Sequence, residues 1–499
     1  MKNTSIALIV TGFTIWGSVL FGNRFVLTES IFIENVSKEH QLLLRPLLKD
    51  MIGREYGEIF SFSTRIRQAI TEINTGFDAT QSWDKKIYTK YELELGKASA
   101  QGFWKDNPMA QWYLCFLPIV LGALLLFYTE VKEMTSSRRN TNIFRHPATS
   151  QKWLGIGIGS FLITFYIILY FFPHFLTNWI LGLDALSLIL NGGKASQWFL
   201  YGFLYTVAVV VMGIRMILKY RDNRYQLVRT SSVIFFQLCI AFLLPELLSK
   251  FQLPSADLKN MWPLDYSFFF DYRIDQKIQG GTFGIFLFVW GIALFVIGVP
   301  ILTYMYGKRW YCSWVCGCGG LAETLGDPFR QLSDKSIKAW KVERYFIYFI
   351  LVFVTLMTAG VLYSYITGSS IIAGFISVEN MKYYYGFLVG SIFSGVIGTG
   401  FYPLMGNRVW CRFGCPLAAY MGIIQRFKSR YRITTNGGQC ISCGNCSTYC
   451  EQGIDVRAYA QKGQDIVRAS CVGCGICSAV CPRGVLKLEN SGEMAGKSL

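Results

Sequence analysis

The chain has 499 residues, 52% of them hydrophobic and 16% aromatic, and only 16% charged. That is too apolar for an ordinary soluble protein of this size, so most of it is expected in a bilayer. Lys and Arg exceed Asp and Glu to give a net charge of +17, but they fall in short loops beside apolar segments, so the surplus reads as membrane topology and lipid contact rather than nucleic-acid binding.

A window of about 20 residues finds about eight candidate spans, near 5–22, 110–131, 153–176, 198–218, 231–249, 282–306, 346–367 and 385–405. No small-x-small cleavage site follows the first, which makes 1–27 a retained anchor, with a cleaved signal peptide as the alternative. One loop carries Lys132, Arg138, Arg139, Arg145 and Lys152, and another carries Lys219, Arg221, Arg224 and Arg229. Both are expected on the cytoplasmic side, which puts the N- and C-termini there too, in a bacterial inner membrane. The outer segment 28–109 has Leu43, Leu47, Ile52, Ile59, Ile66 and Ile70 at helical spacing and predicts a helical region.

The stretch 110–281 is transmembrane and carries no motif. Ionisable groups inside spans are functional suspects, and Glu246, after Pro245, is the candidate proton or quinol site. Only His40, His146 and His174 exist, at no spacing that pairs axial ligands, so haem is not expected. Cys115 and Cys239 are lone and mid-span and read as buried apolar residues.

The region 282–435 contains an internal repeat. Val296-Ile297-Gly298 leads to Gly307-Lys308-Arg309-Trp310-Tyr311-Cys312, and Val396-Ile397-Gly398 leads to Gly406-Asn407-Arg408-Val409-Trp410-Cys411. Each half continues as Cys-x3-Cys, giving Cys312 with Cys316 and Cys411 with Cys415. An x3 spacing sets two thiols one helical turn apart or at the mouth of a turn. Two such pairs at equivalent membrane ends supply the four ligands of an additional iron-sulfur cluster. Cys318 is a fifth thiol, and either it or Cys316 serves. Arg309 and Arg408 flank the motifs and are candidates for contact with the bound group.

The region 436–490 carries the strongest signal, Cys440-x2-Cys443-x2-Cys446-x3-Cys450 followed by Cys471-x2-Cys474-x2-Cys477-x3-Cys481-Pro482. Three thiolates two residues apart wrap one face of a cubane, and the fourth of each run reaches across to complete the other. Cys440, Cys443, Cys446 and Cys481 are therefore assigned to one 4Fe-4S cluster, and Cys471, Cys474, Cys477 and Cys450 to a second. Paired CxxC zinc sites are the alternative. Pro482 follows Cys481 whereas Glu451 follows Cys450, so unequal potentials are expected. Residues 491–499 form a tail.

Two membrane-border CxxxC motifs followed by a two-cluster tail resemble the membrane-bound polyferredoxins of the NapH, NosR and CcoG type. The resemblance covers about 282–488. The second motif matches the family's CxxxCP through Pro416, and the first has Gly317 in that place. It implies electron transfer between the quinone pool or cytoplasmic donors and a partner redox system in the membrane or periplasm. Two departures bear on this. The segment 75–80 matches a covalent-flavin context only faintly, so flavin is not carried over, and the eighteen residues after Cys481 are too few for the immunoglobulin-like region of CcoG-type members, so a copper-reducing assembly role is not expected from the resemblance.

The expectation is a mainly α polytopic membrane protein with a cytoplasmic two-cluster α+β module, passing electrons from a soluble ferredoxin, a flavodoxin or the quinone pool. Arg457, Lys462, Arg468, Arg483 and Lys487 suit an acidic donor. The alternatives are a quinol or metal-ion reductase serving maturation of a respiratory enzyme, and a structural or redox-sensing subunit.

Overall fold

The computed structural model describes residues 1–79, 85–137, 153–254, 257–369, 371–372, 374 and 376–490. Outside these lie Thr80 of the flavin-like segment, the loop residues Arg138, Arg139, His146, Arg145 and Lys152, and the tail 491–499. The chain divides into two compact units, Met1–Thr129 with Ile167–Phe203, and Glu130–Tyr166 with Leu204–Leu499; this division runs through the stretch 110–281.

In the first unit, the helices Glu29–Asn35, Lys38–Leu48, Ile59–Ala79 and Tyr91–Ser99 pack with a small antiparallel sheet in which Arg24–Val26 lies between Glu55–Tyr56 and Ala100–Gln101. Ile59, Ile66 and Ile70 are buried in its core with Phe25, Phe62 and Leu95, as their helical spacing dictates. The strands are two or three residues long, too short to leave a period in the sequence. Trp16 of the first helix, Lys2–Val19, stacks on Trp179 at 3.7 Å between ring centroids.

Among the described residues, five helices are long and apolar enough to cross a membrane: Pro108–Thr129, Gln197–Lys219, Arg224–Lys250, Gly281–Tyr306 and Ile337–Thr367. A sixth span results if the bent pair Gly155–Phe171 and Pro173–Leu181 is counted as one. The other two expected spans take different forms. Lys2–Val19 opens on a polar turn of Lys2, Asn3, Thr4 and Ser5. The segment 385–405 is a series of pieces, with wide π-type turns over Gly386–Ile397 and short helices Gly398–Gly400 and Tyr402–Met405. Five glycines and Pro403 in this stretch weaken a regular helix.

The repeat is visible in the backbone of the second unit. Wide turns occupy Leu294–Gly298 as well as Gly386–Ile397, the two places where Val-Ile-Gly recurs. After each, the chain reverses at a glycine of positive φ, Gly307 at 65° and Gly406 at 89°. A Cβ at Gly406 would meet the Ser333 amide nitrogen at 2.7 Å, so conformation and space both require glycine. The tail then pairs Tyr431–Thr435 with Leu486–Asn490, antiparallel, with Tyr431 opposite Asn490 and Thr435 opposite Leu486. That hairpin closes the two cysteine runs into one module.

Candidate metal centres

The two CxxxC motifs are built alike. Cys312 ends the short helix Arg309–Cys312, and Cys411 lies in Val409–Phe413. The Cys316 amide donates to the Tyr311 carbonyl at 2.8 Å, and the Cys415 amide donates to the Trp410 carbonyl at 3.0 Å. Cys316 and Cys415 then occupy the N-cap positions of Gly317–Glu323 and Pro416–Lys428. The Cys415 thiol accepts from the Ala418 amide three residues on, at 3.4 Å, whereas Cys316 shares the N-cap position without a capping hydrogen bond from its side chain. Cys316 is therefore the structural counterpart of Cys415. Cys318, inside the first turn of its helix, has no counterpart in the second motif and lies beside Cys316.

Cys312, Cys316 and Cys415 share one buried cluster with Tyr311, Trp410 and Leu417, and Cys318 packs against it. Cys411 is buried beside them, within electrostatic range of Cys312, Cys316 and Cys415. Burial pushes the Cys312 thiol up to about 12 and raises Cys411 and Cys415 as well. Cys316 goes the other way, drawn down chiefly by the neighbouring Cys318 thiol. Neutral buried thiols of this kind release protons when they bind a metal.

In the tail, Cys440, Cys443, Cys446 and Cys481 line one small cavity, so the fourth cysteine of the second run does reach the first three of the other. Conversely, Cys450 lies within electrostatic range of Cys471 and Cys477. This crossed grouping is what two cubanes require, and the all-thiol donor set fits iron-sulfur chemistry.

The loop around Cys471, Cys474 and Cys477 is fastened to the CxxxC region through its backbone. Ser313, between Cys312 and Cys316, donates to the Val472 carbonyl at 2.8 Å. Lys308 Nζ donates to the Ala469 carbonyl at 2.7 Å. Gln425 donates to the carbonyls of Arg468 and Cys471, each at 2.7 Å, and accepts from the Lys308 amide. Gln226 holds the Cys474 carbonyl at 2.9 Å.

Beside this junction lies a buried charge network. Arg408 donates to Glu323 at 2.6 Å, to Glu451 at 2.9 Å, to the Cys312 carbonyl at 3.3 Å and to Cys411 Sγ at 3.7 Å. Arg330 donates to Glu451 at 2.6 Å, to Glu323 at 2.9 Å and to Asp327 at 3.2 Å. Arg229 pairs with Glu323 at 2.6 Å, and Lys219 and Arg215 pair with Asp327 at 2.7 and 3.2 Å. Ligand atoms of Glu323, Glu451 and Cys474 lie within 4.8 Å of one another. Both carboxylates are already held by guanidinium groups, so this trio does not suit a separate cation.

The structure separates the two flanking arginines. Arg408 belongs to the network, whereas Arg309 lies over the Tyr431 ring at 4.7 Å and donates to Asn490. Glu246 is half-buried in Leu244–Lys250, seventeen residues beyond Arg229 on the same span. At helical rise that is about 25 Å away along the axis. His174 is buried against Phe175, with Glu92 at 3.8 Å. No motif in the sequence marks Glu323, Asp327, Arg330 or Gln425. Arg229 has the signature of a topological loop charge yet turns inward.

A cavity of about 460 Å³ opens beside Cys411, lined by Lys308, Trp340, Arg344, Tyr348, Arg426 and Arg468 among others. Small residues, Ala418, Ala419 and Gly422, face it from Pro416–Lys428 and leave the room.

Comparison with known proteins gives two family matches. Residues 439–486 match a 4Fe-4S dicluster domain. Residues 286–336 and 386–434, the two halves of the repeat, each match a 4Fe-4S binding domain. Over 173 residues the chain is 24% identical to YccM of Escherichia coli (strain K12), named as a candidate electron transport protein. That match covers 33% of this chain and 47% of the relative, so the chain spans about half the relative's length. No solved structure matches.

Proposed function

We propose that this chain is a membrane-associated iron-sulfur electron-transfer protein, a reading its 4Fe-4S domains support, and that it carries single electrons between a cytoplasmic or quinone-pool donor and a partner redox complex. The observation that carries this reading is the clustering of thiols within one unit: Cys440, Cys443, Cys446 and Cys481 about one cavity, Cys450 near Cys471 and Cys477, and Cys312, Cys316 and Cys415 in one buried cluster with Cys318 and Cys474 against it. Cys440, Cys443, Cys446 and Cys481 would hold an outer 4Fe-4S cluster, and Cys450, Cys471, Cys474 and Cys477 an inner one. Cys312, Cys316, Cys411 and Cys415 would hold a third at the membrane border, with Cys318 beside Cys316. Bound iron-sulfur clusters supply one-electron redox chemistry, with potentials set by ligation, hydrogen bonds and burial. The chain's own residues bury the border thiols, fasten the inner loop and leave the outer loop open. The positive-inside bias assigns the thiol-bearing face and both termini to the cytoplasm of a bacterial inner membrane.

Iron and sulfide analysis of the purified protein, joined to an EPR redox titration, tests this reading. About eight irons per chain correspond to the tail clusters alone and about twelve to all three. Cys411→Ser is expected to remove only the border signal and Cys471→Ser only the inner one. Colourless, iron-free or zinc-loaded protein would overturn the proposal. A second reading, a quinol or metal-ion reductase, is favoured by the cavity beside Cys411. It requires turnover by the isolated protein and sensitivity to Trp340→Ala.

A further inference from the structure

Five cationic side chains, Arg215, Lys219, Arg229, Arg330 and Arg408, face three carboxylates, Glu323, Asp327 and Glu451. Except for Arg215 they are all buried. Burying charges this deeply is costly, and five cations against three carboxylates leave two positive charges in excess. Two observations give the excess of positive charge something to act on. Carboxylate oxygens of Glu323 and Glu451 lie within 4.8 Å of Cys474 Sγ, with Arg229 and Arg330 bound to the same carboxylates. Arg408 reaches Glu451, next in sequence to Cys450, with one guanidinium nitrogen and Cys411 Sγ with the other. The outer group, by contrast, has no member of this network in its lining.

We propose that this network is an electrostatic device that sets the reduction potential of the inner tail centre, Cys450, Cys471, Cys474 and Cys477, independently of the outer one. The inference rests on the iron-sulfur reading above and adds residues to it. A thiolate-bound cluster is anionic, and one-electron reduction adds one negative charge with no bond made or broken. Buried cations nearby stabilise the reduced form and buried carboxylates oppose it, in a medium where water screens little. Arg330 and Glu323 are positioning residues that act through this field and need not touch the metal.

The test is an EPR redox titration of the full-length protein in detergent, with chemical mediators supplying the electron and iron measured in every sample. The outer signal is identified by its loss in Cys443→Ser. Arg330→Gln is expected to move the inner potential negative, and Glu323→Gln to move it positive. Each shift should be on the order of tenfold in the reduced-to-oxidised ratio at fixed ambient potential, about 59 mV for one electron. The outer potential stays in place, and Arg330→Lys, which keeps the charge, restores most of the inner value. A purely structural role would move both variants the same way or disturb both centres alike, and either result overturns the proposal, as does iron-loaded protein whose inner potential does not move. Where Arg330→Gln fails to load iron, the sign of the Glu323→Gln shift decides alone. Iron-free wild-type protein would instead overturn the underlying iron-sulfur reading.

Discussion

The two cysteine loops of the tail share a sequence design and occupy opposite environments. In the inner loop, Cys471 and Cys477 are buried, Val472 is 1% exposed, and carbonyls of residues 468–474 are bound by Gln425, Lys308, Ser313 and Gln226. In the outer loop, Cys443 is exposed, Ile441 is 53% exposed, and the side-chain tie between Cys440 and Cys443 is a surface hydrogen bond from Gln461 to Ser442. Spacing fixes what both loops can ligate. Surroundings fix what each can do with it: one is wired into the body of the protein, and the other is presented to solution, with Arg457 and Arg483 beside it.

The most damaging way to disturb this contrast is to remove a carboxylate from the buried charge network, where Asp327 pairs with Lys219, Arg215 and Arg330. Asp327 is buried, which alone would raise its pKa, but Lys219, Arg330 and Arg215 hold it well below the usual carboxylate range. A carboxyl depressed in the folded state contributes stability above its unfolded pKa of about 4, and that stability drains away as pH falls toward the folded value. Asp327→Asn leaves the cations facing an uncharged amide and is expected to cost about 3–5 kcal/mol near neutral pH. Denaturant unfolding from pH 7 to pH 3 checks both parts. The wild type should weaken below about pH 4, and the variant should lose less over that interval because its deficit is already present.

How far the sequence foretells this arrangement differs from element to element. The cysteine spacings and the Val-Ile-Gly repeat are local signals, and the backbone carries the repeat down to its paired wide turns and paired N-cap thiols. That Cys316 rather than Cys318 is the structural counterpart of Cys415 was not legible, because it depends on which residue sits at the N-cap of a helix, a matter of one residue's φ and ψ. The charge network was less legible still. Arg229, Glu323, Arg330, Arg408 and Glu451 are spread over more than two hundred residues with no common period, so only the tertiary fold brings them together. Span 385–405 has the hydropathy of a crossing helix, yet its glycines and Pro403 favour broken, wider turns.

Gln425 offers a milder perturbation confined to the inner loop. One buried side chain accepts from the Lys308 amide and donates to two loop carbonyls. Gln425→Ala leaves these buried groups unmatched and is expected to cost about 1–3 kcal/mol. Because Cys471 supplies one of the carbonyls, iron loss to a chelator should accelerate at the inner centre. Chelation followed by EPR would read this, and an acceleration confined to the outer signal would refute the assigned fastening.

The same substitution in the outer loop gives the smallest expected effect and the sharpest control. Gln461 bonds Ser442 at 2.8 Å with both residues exposed, so water can replace the lost partner. Gln461→Ala should therefore change unfolding stability by no more than about 0.5 kcal/mol. Ser442 is held at a positive φ of 57°, a conformation that the hydrogen bond helps to fix but that the flanking Cys440 and Cys443 would also constrain once bound to iron. If iron does the constraining, the variant keeps wild-type chelation rates when loaded and differs only before loading. A large loss of stability from Gln461→Ala in loaded protein would mean that the outer loop depends on its surface as strongly as the inner loop depends on its docking, and the distinction between a wired loop and a presented one would fall.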